Sequence, residues 1–542
     1  MNDTAAAFDA LAEEFFSVWF RYHPDRALAA GVHGYEHLLP AQSDDELAAL
    51  GGWLETLIVA LEELDFSALD EDRRIDLRLM FGAARVEHQE LLERDWRHRD
   101  PLRFLPVAGI YRLTLQPPED VRGNLVSLLE AVPEYLRLAV SHLRSMAELV
   151  APALVDAAVH ESELGRCYLR ELARSPWLKR NCYGVSEIET LVERACKALA
   201  GFGDTLRADI GPRAHAELGC GEEHLRFLFR HRHFMELDTR QVRDTLDTAL
   251  AASSEALERL CVDRGFPGSA VWRHLTERRV ERGERLELCR RESLQLVAFL
   301  RQTGLASLPD AKLQLREWSA CPHPHGLGID YVADRERGCG TYFVSADGSA
   351  GQGREPLTVL RSRCMDRTWA GSHLLAFAGG EQGWRFPRRL CAGGGLARAW
   401  GMYFRERLAE LGHFGRDDRL LLALQRRAAV QRAQLDLELH VGNLTTAEAG
   451  RRLSAIEGED PDAVGLVALA RHPGDALAGV LGWQALARLR RRMETAEAVG
   501  FEERRFHDRL LSRGRIPISL ILSAEFGGGF PRASGDAAVD SV

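Results

Sequence analysis

The feature that most constrains this chain is a stripe of apolar residues that returns every three or four positions along most of its length. It is clearest between Gly123 and about Leu149. There Leu125, Leu129, Val132, Leu136, Ala139, Leu143 and Met146 fall on one helical face. Pro133 lies inside this stripe, so a kink is expected. Phe8, Leu11, Phe15, Trp19 and Tyr22 make an earlier face, which Pro24 should stop. The same period predicts helices from Asp44 to about Leu64, Asp72 to Arg94, Asp238 to Cys261, Ala270 to about Gln302, Asp417 to about Leu439 and Thr446 to Ile456. Another runs from Val185 to Glu217 with a break at Gly211-Pro212. The fold class that follows is mainly α.

One region departs from that period. Between Arg316 and Ser345 the segments GIDYVAD and GTYFVSAD are short, aromatic and β-branched, bounded by Gly and Asp. They predict two strands of a small β hairpin or sheet. Such a strand either serves structure alone or pairs with an extended peptide. With no low-complexity linker and no short repeat, the chain reads as a single helical domain over 1–532. Two lobes are expected, at roughly 1–300 and 301–532, and the small polar tail at 533–542 is expected to be disordered.

Composition excludes several function classes. The 542 residues carry a net charge of −10, which gives no basic footprint for nucleic acid. No run of about 18 apolar residues is present, so no membrane span is expected. The acidic, amphipathic start lacks the basic and apolar regions of a signal peptide, and a cytoplasmic location is the default expectation. Ten cysteines without a CxxC pair read as reduced core thiols. No P-loop and no GxGxxG in a strand–helix setting occurs, so no cofactor is expected. Cys321, His323 and His325 alternate along an extended, Pro-rich segment; they would face one metal ion or form a plain connector. His231 and His233 flank Arg232, as a polar face or a ligand-contacting cluster.

The stretch from Glu355 to Phe414 gathers the most chemistry. Its first part reads as one amphipathic helix, on which Asp366 and His373 stand two turns apart and share a face. After the glycine-rich CAGGG, a second helix carries Trp400, Tyr403, Phe404, Arg407, Leu408 and Leu411 at helical spacing. Ser372 beside His373, and Cys364 near it, are weak nucleophile–base candidates. Adjacent helical residues point about 100° apart, which does not make such a pair readily.

Several segments then share their order and spacing with a known family. HPDRALAAGVHGYEHLLP, LLERDWRHRDPLRFL, LDLELHVGNLTTAEA, RHPGDALAGVLG and FHDRLLSRGRIPISLIL together resemble the bacterial domain-of-unknown-function family 885. The resemblance implies a large helical, metallopeptidase-like fold with a central cleft, akin to gluzincin zinc peptidases. The family pattern is HE-x-x-P-G-H-H followed by E-G-W-x-x-Y, supplying zinc ligands and a general base. Here the first motif aligns with DRTWAGSH and the second with Arg398-Ala-Trp400-Gly-Met-Tyr403. Asp366 stands in place of the first histidine, Arg367 in place of the general base and Ser372 in place of one paired histidine, while His373 remains. Arg398 replaces the ligand glutamate, and the Trp400 and Tyr403 scaffold is kept. Pro473-Gly-Asp475-Ala stands for a PGQA-like segment, and Gly479 for the tyrosine after it.

Those exchanges reverse the local electrostatics. At about 4 Å and an effective dielectric near 20, a unit charge pair is worth roughly 4 kcal/mol, so one arginine beside a divalent cation costs about 8 kcal/mol. No metal is therefore expected at this site. Asp366 and Arg398 would instead pair across the two helices with Arg367 pointing to solvent, or Arg367 and Arg398 would bind an anionic group. The expectation is a catalytically impaired, peptidase-like protein that binds a peptide or an anionic small molecule. The alternative is an active hydrolase using relocated residues in the same cleft.

Overall fold

The computed structural model of the protein describes residues 3–265, 270–317, 330–344, 354–380, 385–390, 395–457 and 463–527. Cys321, His323 and His325 and the 533–542 tail lie outside the described residues. The fold is mainly α. Among the described residues no helix is long and apolar enough to cross a membrane. The chain forms two compact units, which divide after Leu218, whereas the sequence placed the lobe boundary near residue 300.

The first unit takes the chain up to Leu218, together with 463–468. Its long helices are Asp3–Tyr22, Asp44–Glu62, Glu71–Glu93, Val121–Ser145, Pro152–Arg174 and Val185–Thr205. Their limits follow local chemistry. Pro24 ends the first helix and opens the short helix Pro24–Ala29, where a missing N–H costs nothing. Ser43 and Glu46 form a capping box at the start of the Asp44–Glu62 helix. Asp70 and Asp120 cap the helices that follow them. In the Val121–Ser145 helix the stripe from Leu125 to Leu143 is buried, and Pro133 sits inside without ending it. Met146 falls past the end of the helix and is exposed. At the expected break the helix ending at Thr205 widens into a π turn, Leu206–Ile210, then tightens at Gly211–Arg213.

The second unit contains the remaining described helices and all five described strands. The expected hairpin is present: β3 (Tyr331–Asp334) and β4 (Cys339–Val344) pair antiparallel. A strand the sequence did not reveal, β2 (Lys312–Glu317), runs parallel on the other side of β4. A second, two-stranded sheet joins β1 (Arg279–Glu281) to β5 (Arg354–Pro356). Tyr342 and Val344 of β4 pack into one core cluster with Leu288 and Cys289 of the Arg285–Thr303 helix and Leu360 and Cys364 of the Leu357–Arg367 helix.

The continuous helix expected from Glu355 is not formed. Glu355 belongs to β5, and the helix that follows stops at Arg367. A new helix begins at Ser372. Asp366 and His373 therefore lie on two different helices and share no face. The cause is close packing at Gly371, where the chain folds back onto the carbonyl of Asp366. A Cβ at Gly371 would stand 2.0 Å from that oxygen. Only glycine fits without moving backbone. Gly371→Ala should therefore lower the unfolding free energy by roughly 2 kcal/mol or more, read from urea denaturation. A change within about 0.5 kcal/mol would show that the fold-back is soft.

Candidate functional site

The second helix of the sequence reading is present as Gly395–Glu410. It packs against the Asp475–Glu497 helix along a seam of small residues. An added Cβ at Gly395 would stand 3.3 Å from Ala478 Cβ, and one at Gly482 3.0 Å from Ala399 Cβ. One at Gly479 would stand 2.8 Å from Arg398 Cβ. Gly479, where the family resemblance led to expect a tyrosine, thus lets the two backbones approach. The aliphatic stem of Arg398 covers the glycine and its residue is exposed. Among the described residues Arg398 has no ion-pair partner.

Helical phase then buries Trp400 and Tyr403. Trp400 donates its indole N–H to the Ala370 carbonyl at 3.0 Å and stacks on Phe404. Tyr403 Oη and His507 Nε2 are 2.7 Å apart, and His507 Nδ1 lies 2.7 Å from the Leu305 carbonyl. A carbonyl only accepts, so Nδ1 carries the ring proton and Nε2 accepts from the phenol. Burial pushes the His507 pKa down to about 4 and the Tyr403 phenol upward.

His373 is held in the same way. Its Nε2 donates to the Ala311 carbonyl at 3.1 Å, so Nδ1 accepts from Tyr331 O–H at 2.9 Å. Burial lowers its pKa to about 4 although the carbonyl bond favours the charged ring. Space for this contact comes from Gly340 on β4, where a Cβ would stand 2.2 Å from Tyr331 Oη and 2.5 Å from His373 Nδ1. Both ring nitrogens are engaged, leaving no lone pair for a cation and no base for the Ser372 hydroxyl. Ser372 itself opens the short helix and is half-buried.

The ion pair at Asp366 is made with a different arginine from the one expected. Arg405 Nε stands 3.4 Å from Asp366 Oδ1. Gly401, one turn earlier on that helix, leaves room for the carboxylate, with an ideal Cβ 3.9 Å from Asp366 Oδ1. Burial raises the Asp366 pKa, while Arg405, Arg367 and Arg363 oppose the rise. Arg367 does not point freely to solvent. Its Nε lies 2.6 Å from Asp330 Oδ1, just before β3. Each carboxylate here faces a guanidinium, and among the described residues no group of three His, Cys, Asp or Glu side chains could hold a metal ion.

Cys364 is a core thiol. Its Sγ is 3.3 Å from the Cys289 carbonyl, and contact with the Cys289 side chain followed by burial raises its pKa. That is the opposite of nucleophile activation. Of the histidine pair, His231 ends the Glu222–His231 helix against the Phe227 ring. His233 is buried, with Nε2 3.7 Å from Asp475 Oδ1, and burial lowers its pKa to about 4. Sequence reasoning missed Tyr331, Asp330, Arg405, His507 and Asp436. The last, on the Arg416–His440 helix, accepts the N–H groups of Gly474, Ala476 and Leu477 at 3.0–3.1 Å. It caps the Asp475–Glu497 helix from a neighbouring helix. Burial nevertheless raises its pKa to about 7.

These shifts set the sign of the acid response. His233, His373 and His507 have pKa values near 4 in the fold against a usual 6.5. Their contribution is complete above pH 6.5 and is lost as pH falls through 4, by at most roughly 3 kcal/mol per ring. Asp436 acts oppositely: with 7 against a usual 3.8, its contribution is complete below 3.8 and is lost as pH rises through 7. Three rings outweigh one carboxyl, so stability should fall between pH 6.5 and 4. In urea titrations at several pH values, His507→Gln should be less stable at pH 7 yet show a shallower fall. An unchanged slope would mean that His507 is not held neutral.

With this geometry in view, the relatives can be placed. No curated protein matches the chain. A solved structure from Colwellia psychrerythraea, a candidate lipoprotein, has a TM-score of 0.78 at 15% identity, covering 96% of this chain and 99% of its own. A candidate lipoprotein of unknown function from Shewanella oneidensis has a TM-score of 0.70 at 16% identity, covering 95% and 98%. At these identities the likeness carries the fold alone. The family described as bacterial protein of unknown function (DUF885) matches residues 24–524, and the chain belongs to it.

Proposed function

We propose that this chain is a binding protein on a peptidase-like scaffold, with the zinc ligands and general base of such a site replaced. Its ligand is a peptide or small molecule that presents an anionic group to Arg398. The observation that carries the first half is at His373. Its two ring nitrogens are bonded to Tyr331 and Ala311, and its former motif partner Asp366 faces Arg405 at 3.4 Å. Those residues do not fit a divalent cation, because a ligand set needs free lone pairs and a surplus of negative charge.

The second half rests on Arg398. Its stem is fixed over Gly479 while the residue stays exposed, so its guanidinium is partly pre-oriented. A planar guanidinium suits a carboxylate or phosphate. Burial lowers the pKa of the neighbouring His472; Asp475 opposes this, while Arg471, Arg232 and Arg398 add to it, so arginines outnumber the one carboxylate around that ring. The extended β2 offers a further contact: among the described residues its outer edge pairs with no strand. An extended peptide adds to such an edge through main-chain hydrogen bonds. The hydrolase reading has less support, since the Cys364 thiol is raised in pKa and Ser372 has no base.

Two measurements test this. Metal analysis after incubation with zinc and dialysis should find no stoichiometric zinc, and EDTA should leave the melting temperature unchanged. Peptides with a free C-terminal carboxylate should stabilise the protein more than their amidated forms. Arg398→Ala should weaken that binding about tenfold, or about 1.4 kcal/mol. One zinc retained per chain, with a chelator-induced drop in melting temperature, would sink the proposal.

A further inference from the structure

The first unit holds a cluster of its own, built from groups that lack the partners buried polar atoms require. Trp19 is 2% exposed, yet its indole Nε1 has no acceptor. Tyr135 is 7% exposed, and its hydroxyl has no partner. Gln42 is 5% exposed; its amide nitrogen donates to the Tyr135 carbonyl at 3.0 Å, while its Oε1 receives nothing. Folded proteins leave few such atoms, and each one costs free energy.

Three half-buried guanidiniums share this neighbourhood. Arg26 lies over the Trp19 ring at 5.4 Å, and Arg103 over Trp96 at 4.6 Å. Arg112 stands within electrostatic reach of Asp25. Among the described residues none of the three has a hydrogen-bonded carboxylate. A buried anion that Arg26 and Arg103 act on, Glu87, is taken by His23, whose Nε2 is 3.3 Å from Glu87 Oε1. Burial works against the Glu87 charge, but His23, Arg26 and Arg103 hold its pKa down to about 2. Tyr135, raised in pKa by burial, also feels Asp25, Arg103 and Glu46, which ties the hydroxyl to the same group of charges. Three half-buried arginines stand against one buried carboxylate, Glu87, while Asp25 and Glu46, the other acids that reach the group, are exposed.

A shaped loop precedes Gln42 in the chain. Gly31 and Gly34 adopt φ of +73° and +103°. The buried Glu36 accepts the Gly34 N–H at 2.6 Å and meets His33 Nδ1 at 2.6 Å. The GVHGYEH segment thus folds on Glu36, and the chain goes on to present Gln42. Water would satisfy the three uncharged orphans, but it would not neutralise the guanidiniums.

We infer that the first unit binds a small organic anion, a carboxylate or phosphate that also carries a hydrogen-bond donor. Arg26, Arg103 and Arg112 take the anionic oxygens, Trp19 and Tyr135 donate to them, and Gln42 Oε1 accepts from the donor. Calorimetric titration of the full chain with N-acetylglycine, succinate and inorganic phosphate, at constant ionic strength, tests this. Saturable binding of at least one probe is expected, weakened at least tenfold in Arg103→Gln, Arg112→Gln and the gentler Tyr135→Phe. Arg398→Ala should leave this binding unchanged, which separates it from the binding proposed at Arg398. A response to the carboxylates alone or to phosphate alone identifies the anionic group. No saturable binding by any probe, or equal affinity in the folded Tyr135→Phe and arginine variants, overturns the inference.

Discussion

Close approach of two backbones governs the region around Arg398. Gly395 and Ala399 on one helix meet Ala478, Gly479 and Gly482 on the other, and three of the five have no Cβ. Interior packing tolerates little excess volume, so the seam fixes both the separation and the rotation of the Gly395–Glu410 helix. Rotation decides the rest. With the small residues turned to the seam, Trp400 and Tyr403 go to the core, where Tyr403 meets His507. Gly401 and Arg405 turn to Asp366, and Arg398 is left exposed at the edge of the seam.

A second constraint acts on the segment between the Arg285–Thr303 helix and β2. His507 bonds to the Leu305 carbonyl and His373 to the Ala311 carbonyl, so two neutral rings pin both ends of it. Asp508 adds bonds from the Ser307 N–H and hydroxyl at 2.9 and 2.6 Å. Each imidazole stands between a phenol that donates and a carbonyl that accepts. Protonation of either ring would set an N–H against the phenol oxygen, which then has to turn its own proton elsewhere. This is a structural use of histidine, in which both ring nitrogens are spent on hydrogen bonds.

Much of the architecture was legible because burial writes itself into periodicity. The Leu125–Leu143 stripe and the buried face of Trp400, Tyr403 and Phe404 came from spacing, and the β3–β4 hairpin from aromatic and β-branched runs bounded by Gly and Asp. What was hidden has physical causes. β2 reads KLQLRE: Leu313 and Leu315 alternate with polar neighbours, but two half-buried leucines in a charged run of six are too short a signal to stand out. The break after Arg367 depends on Gly371 packing on a carbonyl five residues earlier, which no helical period records. The partner of Asp366 turned out to be Arg405, two turns beyond Arg398, because Gly401 makes the room. Asp436 and His507 stayed invisible because a buried polar residue on an apolar helix face has no pattern of its own.

The charges around Asp366 should be weighed by exposure. Its side chain and that of Arg367 each keep about a third of their surface accessible. Ion pairs so exposed contribute at most about 1 kcal/mol, because water screens them. The Asp366–Arg405 and Arg367–Asp330 pairs therefore orient side chains more than they hold helices together. The helix seam and the two histidine clamps, by contrast, are buried, so water screens them less. The frame is thus held by buried packing, and Arg398 at its edge stays exposed to water. Exchanging a charge at this surface would therefore leave the fold nearly as stable.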